Sequence, residues 1–292
     1  MFILMKLKDM LKKSIPSLVK IFRSLNEVTD SYNSRLYFAY KKRQINHPNP
    51  LCKYGAKFFS QADEDGLTLE IIKRLDISKG TFVELGVGPG VENNTLILLA
   101  SGWSGCWIGG EDLLFDIPPN SRLSFHKSWI TKENVTKLLK NDVLYQEPNS
   151  VDLLSIDLDG NDIYFLDKIL TEGTKPKIII SEYNSKFPPP IRFSIAYDKN
   201  HLWERDDYQG SSLQNLVDLL CSFGYKLICC NAATGVNAFF VHEDYSHLFP
   251  EVPKSIDEIY ADPFHLFFSG ITWPTSLKTI KKIISNDKDL FL

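Results

Sequence analysis

The chain has little of several things. Its five cysteines (Cys52, Cys106, Cys221, Cys229 and Cys230) are an odd count in 292 residues and include no C-x-x-C pair. That excludes a disulfide framework and a zinc site of that spacing, and leaves reduced thiols, as in a cytosolic protein. No apolar run spans a bilayer: lysines interrupt "MFILMKLKDMLKKSIPSLVKIFRSL", and no small-residue cleavage site follows it. Basic residues are not in excess, 33 Lys and Arg standing against 36 Asp and Glu, so nucleic acid is not an expected partner. Internal repeats, low-complexity blocks and a G-K-[ST] phosphate loop are all missing. What is present is an ordinary globular composition, 43% hydrophobic and 24% charged, in a chain long enough to bury a substantial core.

Three parts are expected: a helical extension and connector over 1–54, an α/β domain over 55–245, and a helical tail over 246–292 that contains "TSLKTIKKIIS". In the extension, Leu7, Met10, Leu11, Ile15, Leu18 and Ile21 share a helical face with lysines opposite, and Pro16 breaks or restarts the helix. Two readings stand for it. One is a helix docked on the body or on a second subunit, which gives a homodimer; the other is a helix lying on a membrane surface without crossing it. Residues 30–60, with "NHPNP", read as connector.

From "SQADEDG" onward the pattern becomes regular. "TFVEL", "GCWIGG", "LSFHKSW", "VDLLSID" and "PKIIISEY" read as strands, alternating with helices whose caps are expected at Asp63 and Thr131. "KLICCNAATGVNAFFVH" adds two strands joined by a turn. The alternation predicts an α/β, Rossmann-like fold: a mostly parallel sheet covered on both faces, with an antiparallel edge strand.

"VELGVGPGVENNT" follows the first strand of the series, where ligands bind in such sheets. Gly86, Gly88 and Gly90 are spaced G-x-G-x-G rather than G-x-G-x-x-G, and Val91, Glu92 and Asn93 intervene before the helix, so a pyrophosphate seat fits poorly. The acidic Glu84 suits a cation-bearing cofactor such as S-adenosylmethionine, which carries a sulfonium and an ammonium and no phosphate; the alternative is a plain tight turn. A ribose calls for a carboxylate at the end of the second strand, and Glu111 is preferred there over Asp112.

"SQADEDG", "FVELGVGPGVENNT", "GWSGCWIGGED", "SIDLDGNDIYFLDKI", "IIISEYNSKFPP" and "GVNAFFV" together resemble the FkbM-like S-adenosylmethionine-dependent methyltransferases over roughly residues 55–242. Within that group the chain looks most like bacterial enzymes that O-methylate sugars of capsules and other surface glycans. The resemblance implies the seven-stranded methyltransferase sheet, and a sugar, nucleotide-sugar or polysaccharide-precursor substrate. It also implies a place at the cofactor for Gln61, which could equally cap the adjacent helix. Trp129 could lie against the adenine or pack in the core. In one departure, Ile108-Gly109-Gly110 stands where the family often has "IEG", which moves the ribose carboxylate to Glu111.

On the acceptor side, "SIDLDGND" puts Asp157 and Asp159 at the end of the fourth strand, beside the transferable methyl, and "SEYN" puts Glu182 and Asn184 at the end of the fifth. Oxygen ligands on adjacent strand ends suit Mg2+. Asp157, Glu182 and Asn184 are the expected ligands, with Asp159 as substitute; Asp159 could instead serve only the turn before a helix. Asp157 and His201 are the base candidates, ahead of His126. His201 lies in a covering segment with Lys186, Trp203, Asp206, Asp207 and Tyr208, whose aromatic and charged side chains suit a sugar. Two other readings stay open: an O-methyltransferase for a small natural product, and a catalytically silent fold that binds partners.

Overall fold

The computed structural model describes residues 16–140, 150–264 and 275–284. The chain forms two compact units, Met1–Arg43 and Gln44–Leu292. Helix α1, Pro16–Asn46, accounts for the described part of the first. Pro16 heads the described helix, where a fixed φ and a missing N–H are tolerated; Leu7, Met10, Leu11 and Ile15 lie outside the described residues. The chain is helical through Asn46, although connector was expected from residue 30. Val28, Tyr32, Tyr37 and Phe38 are all exposed, so these large side chains do not mark the buried face whose period shows a helix in sequence. "NHPNP" does end the helix, and Asn49 accepts from the Leu51 N–H to start a 3-10 turn over Pro50–Tyr54.

The second unit is built on seven strands: β1 (Thr81–Leu85), β2 (Ser104–Gly109), β3 (Leu123–Lys127), β4 (Leu153–Ile156), β5 (Ile178–Glu182), β6 (Tyr225–Cys230) and β7 (Asn237–His242). Their spatial order is β3-β2-β1-β4-β5-β7-β6. Neighbours from β3 to β5 pair in parallel, and β7 runs antiparallel to both β5 and β6. This is the expected Rossmann-like seven-stranded sheet; the antiparallel strand sits on one flank, between β5 and the outermost β6. β4 and most of β5 are buried throughout, as the apolar runs "LLSI" and "III" demand when both faces are covered.

Helices α2 (Glu64–Arg74), α3 (Leu96–Ala100), α4 (Val135–Lys140), α5 (Asp162–Thr171), α6 (Leu213–Ser222), α7 (Ile256–Ile259) and α8 (Leu277–Ile284), with a second 3-10 turn over Glu243–Leu248, complete the described elements. The core runs through the sheet, with Phe82, Trp107, Ile156, Ile180 and Phe239 essentially inaccessible. Each contributes roughly 1.5–3 kcal/mol by leaving water. Two expected caps differ. Thr131 accepts the Asn134 and Val135 N–H groups on its carbonyl and opens a turn ahead of α4, whose first residue is Val135. Asp63 sits at the cap position of α2 but makes no cap bond; buried amide donors claim it instead, Gln44 Nε2 at 2.7 Å and Asn231 Nδ2 at 3.2 Å. All five cysteines are free. Among the described residues, no helix is long and apolar enough to cross a membrane.

Strand order reverses at β1, whose neighbours β2 and β4 lie on its two sides. The crevice past its carboxyl end is where a doubly wound sheet binds ligands.

Candidate cofactor and acceptor site

The loop after β1 is held from beneath. Glu84 is buried and spends both carboxylate oxygens inside the protein: Oε1 accepts from Asn94 N at 2.9 Å, and Oε2 from Thr95 N at 3.2 Å and the Thr95 hydroxyl. Trp107 Nε1 donates to that same hydroxyl at 2.8 Å, tying β2 to the start of α3. Burial raises the Glu84 carboxyl above the ordinary carboxylate range, while the Thr95 and Asn94 donors pull it back. Glu84 therefore shapes the loop and does not present a carboxylate to its surface.

The glycines divide by role. Gly86 has φ +91°, and a Cβ there would lie 1.7 Å from the Asp157 carbonyl oxygen; it lets β1 and β4 close together. At Gly90, φ +80°, a Cβ would meet Leu113, Trp107 and Phe115. Gly88 also has positive φ, +48°, but a Cβ there would meet nothing within 4 Å. The open space of the loop is over Gly88.

Two predicted residues flank that space from β2 and β3. Glu111 lies just past the end of β2, exposed, and its carboxylate has no partner among the described residues, whereas Asp112 pairs with Lys127 at 2.7 Å. Trp129 is not a core residue: it is 51% exposed, its ring edge packs beside Gly110, and its Nε1 donates to the Lys199 carbonyl at 2.7 Å. Gln61 is exposed and caps nothing; its carbonyl receives Lys57 Nζ at 2.7 Å.

On the other side of Gly88, Asp157, Asp159 and Glu182 each bring a carboxylate oxygen within 4.8 Å of the others. Glu182 Oε2 is buried and has no hydrogen-bond partner among the described residues. Burial first, and the neighbouring carboxylates second, push Asp157 and Glu182 well above the ordinary carboxylate range. The turn before α5 is made by Asp162, which accepts from Leu158 N at 2.8 Å and Gly160 N at 3.1 Å. That leaves the Asp159 carboxylate free of turn duty, on a backbone with φ +53°.

Asn184 does not join the cluster. Its Nδ2 donates to the Asp207 and Gln209 carbonyls at 2.9 and 3.0 Å, and its Oδ1 accepts from Lys186 N at 3.2 Å. The Asn184 carboxamide is thus committed to fixing the covering segment, and the third carboxylate beside Asp157 and Glu182 is that of Asp159. His201 lies over this corner, Nε2 to the Asp159 carbonyl at 3.2 Å. His126 is half-buried on β3, on the far side of the sheet order from Glu182.

The segment carrying His201 is strapped across the strand ends. Lys132 N donates to the Tyr197 hydroxyl at 2.9 Å, and Asn161 Nδ2 to the Asp198 carbonyl at 2.8 Å. Sequence reasoning missed these anchors, and also the buried set in which Asn231 Nδ2 reaches Glu64 Oε1 at 2.9 Å. Only the acidic run "DED" hinted at the latter, and it reads equally as a solvated helix start.

No family model and no curated protein matches the chain. Solved structures resemble it weakly. The methyltransferase domain of bacterial CtHen1-C is 18% identical, with 61% of this chain and 96% of that chain covered and a TM-score of 0.36. The glycopeptide N-methyltransferase MtfA is 14% identical, at 66% and 96% coverage and TM-score 0.35. The 1,6-didemethyltoxoflavin-N1-methyltransferase of Burkholderia thailandensis is 13% identical, at 77% and 87% coverage and TM-score 0.36.

Proposed function

We propose that the protein is an S-adenosylmethionine-dependent O-methyltransferase that methylates a sugar hydroxyl of a capsule or surface-polysaccharide precursor. The observation that carries the reading is the open space over Gly88, with an exposed carboxylate on one side and a carboxylate cluster on the other. Glu111 is suited to the ribose hydroxyls, Trp129 to the adenine face, and the acidic side to a sulfonium. A phosphate-bearing carrier would meet acidic groups on both sides. The sugar comes from the resemblance of "SIDLDGND", "SEYN" and "GVNAFFV", and from the aromatic and charged covering segment.

Methyl transfer is an in-line displacement, so the protein's work is alignment and removal of one proton. A carbonyl can only accept, so the contact with Asp159 places a proton on His201 Nε2 and leaves Nδ1 as the lone pair that takes the acceptor's proton. The oxygens of Asp157, Asp159 and Glu182 fit a hard divalent cation such as Mg2+, which would lower the pKa of a bound hydroxyl.

Transfer of labelled methyl from S-adenosylmethionine to a panel of nucleotide sugars tests the reaction: product on a sugar oxygen supports it, and no product on any sugar opposes it. Titration calorimetry with MgCl2 tests the metal. Heat in the wild type that Asp157→Asn abolishes supports it, whereas no heat, with activity indifferent to EDTA, refutes it.

A further inference from the structure

The loop ahead of α2 holds two aromatic residues in solvent on a rigid frame. Phe58 is 59% exposed and Phe59 42%. Their backbone N–H groups, with that of Ser60, converge on one oxygen of the buried Asp65, at 2.7, 2.5 and 2.9 Å. Lys57 Nζ closes the turn onto the Ser60 carbonyl at 2.8 Å. Single exposed aromatics are common and need no explanation. A buried carboxylate that gathers consecutive amides to fix a loop is a costlier device, and what it fixes is a pair of phenyl rings with no aromatic or cationic neighbour among the described residues.

The loop's root lies on the acceptor side of the sheet. The Ala62 N–H donates to Glu64 Oε2 at 2.9 Å, and Glu64 Oε1 accepts from Asn231 Nδ2 at 2.9 Å and Asn237 Nδ2 at 3.4 Å. Asn237 is the register partner of Glu182. The loop is therefore rooted at the β5–β7 strand ends, beside the carboxylate cluster. Glu111 and Trp129 lie at the β2–β3 ends, on the other side of β1 in the sheet order. The loop that carries the rings is thus rooted nearer the carboxylate cluster than Glu111 and Trp129 in the sheet order.

We propose that Phe58 and Phe59 form an aromatic platform for the acceptor, binding the apolar C–H face of a pyranose ring. This rests on the sugar-methylating reading above. A pyranose presents hydroxyls at its edge and C–H groups on its faces. Laying a face on the phenyl rings removes apolar surface of both from water, and leaves the edge hydroxyls to the carboxylates and His201.

Saturation-transfer NMR on the full-length protein, with methyl glycosides of glucose, galactose, mannose and rhamnose as probes, tests the platform. The wild type should transfer saturation to ring C–H protons of at least one glycoside. The double variant Phe58→Ala/Phe59→Ala should lose it at least about fivefold, and Phe59→Trp should keep it. S-adenosylhomocysteine affinity, measured alongside by calorimetry, should stay within about twofold in every variant, which separates a lost platform from a lost fold. Saturation that persists in the double variant, or no saturation of any glycoside by the wild type, overturns the proposal. Glycoside saturation in a wild type that ignores S-adenosylhomocysteine would refute the methyl-donor reading while supporting the platform.

Discussion

Replacing Gly88 by alanine separates the fold from the cofactor seat more cleanly than any other single change in the loop. A Cβ at Gly88 meets nothing within 4 Å, so packing is undisturbed. The cost to folding is the left-handed backbone at φ +48°, roughly 1–2 kcal/mol for a residue with a Cβ. In a domain of this size each kcal/mol lowers Tm by about 2–4 °C, so Gly88→Ala should melt within about 8 °C of the wild type. The same methyl group, however, projects into the space assigned to the methyl donor. Calorimetry with S-adenosylhomocysteine should show at least about a tenfold weaker Kd, equivalent to about 1.4 kcal/mol. Gly86→Ala is the contrast: its Cβ would fall 1.7 Å from the Asp157 carbonyl oxygen, and that variant should fail to fold. A Gly88→Ala protein that folds and binds S-adenosylhomocysteine as the wild type does would refute the assignment of the space over Gly88.

Other outcomes follow from the same geometry. Glu111→Ala removes an exposed carboxylate that pairs with no described residue, so calorimetry should show about a tenfold loss of S-adenosylhomocysteine affinity, and Tm should not move. Trp129→Ala removes the proposed base-stacking face and should cost about 1–3 kcal/mol of that affinity, again by calorimetry. Glu64 is fully buried; burial first and neighbouring Asp63 second raise its carboxyl from 4.5 to about 7. An acid raised in the folded state contributes stability that is complete below its unfolded pKa and is lost as pH rises through its folded pKa. Urea unfolding should therefore show stability falling between about pH 4.5 and 7, and Glu64→Gln should flatten that slope.

The sheet was legible in the sequence because its strands are continuous apolar runs bounded by turn residues, as in "TFVEL" and "IIISEY". The glycine spacing likewise announced a loop of positive-φ glycines with open space at Gly88, and the ends of β4 and β5 announced an acidic corner. What sequence could not give is which oxygen each polar side chain chooses. Glu84 reads as a cation-facing carboxylate, yet amide donors at the start of α3 claim both its oxygens. Asn184 reads as a metal ligand, yet its carboxamide is spent on the carbonyls of Asp207 and Gln209, more than twenty residues away. The length of α1 was hidden for a different reason: its exposed tyrosines and phenylalanine break the 3.6-residue pattern that a buried face would have imposed.

The central claim is that the crevice beyond β1 holds a cationic methyl donor and not a phosphate-bearing carrier. Crystals soaked in parallel with S-adenosylhomocysteine and with NAD test it most directly. The account predicts density for S-adenosylhomocysteine over Gly88, its ribose on Glu111 and its adenine against Trp129, and none for NAD. Density for NAD there, with its pyrophosphate on the glycine loop, would contradict it.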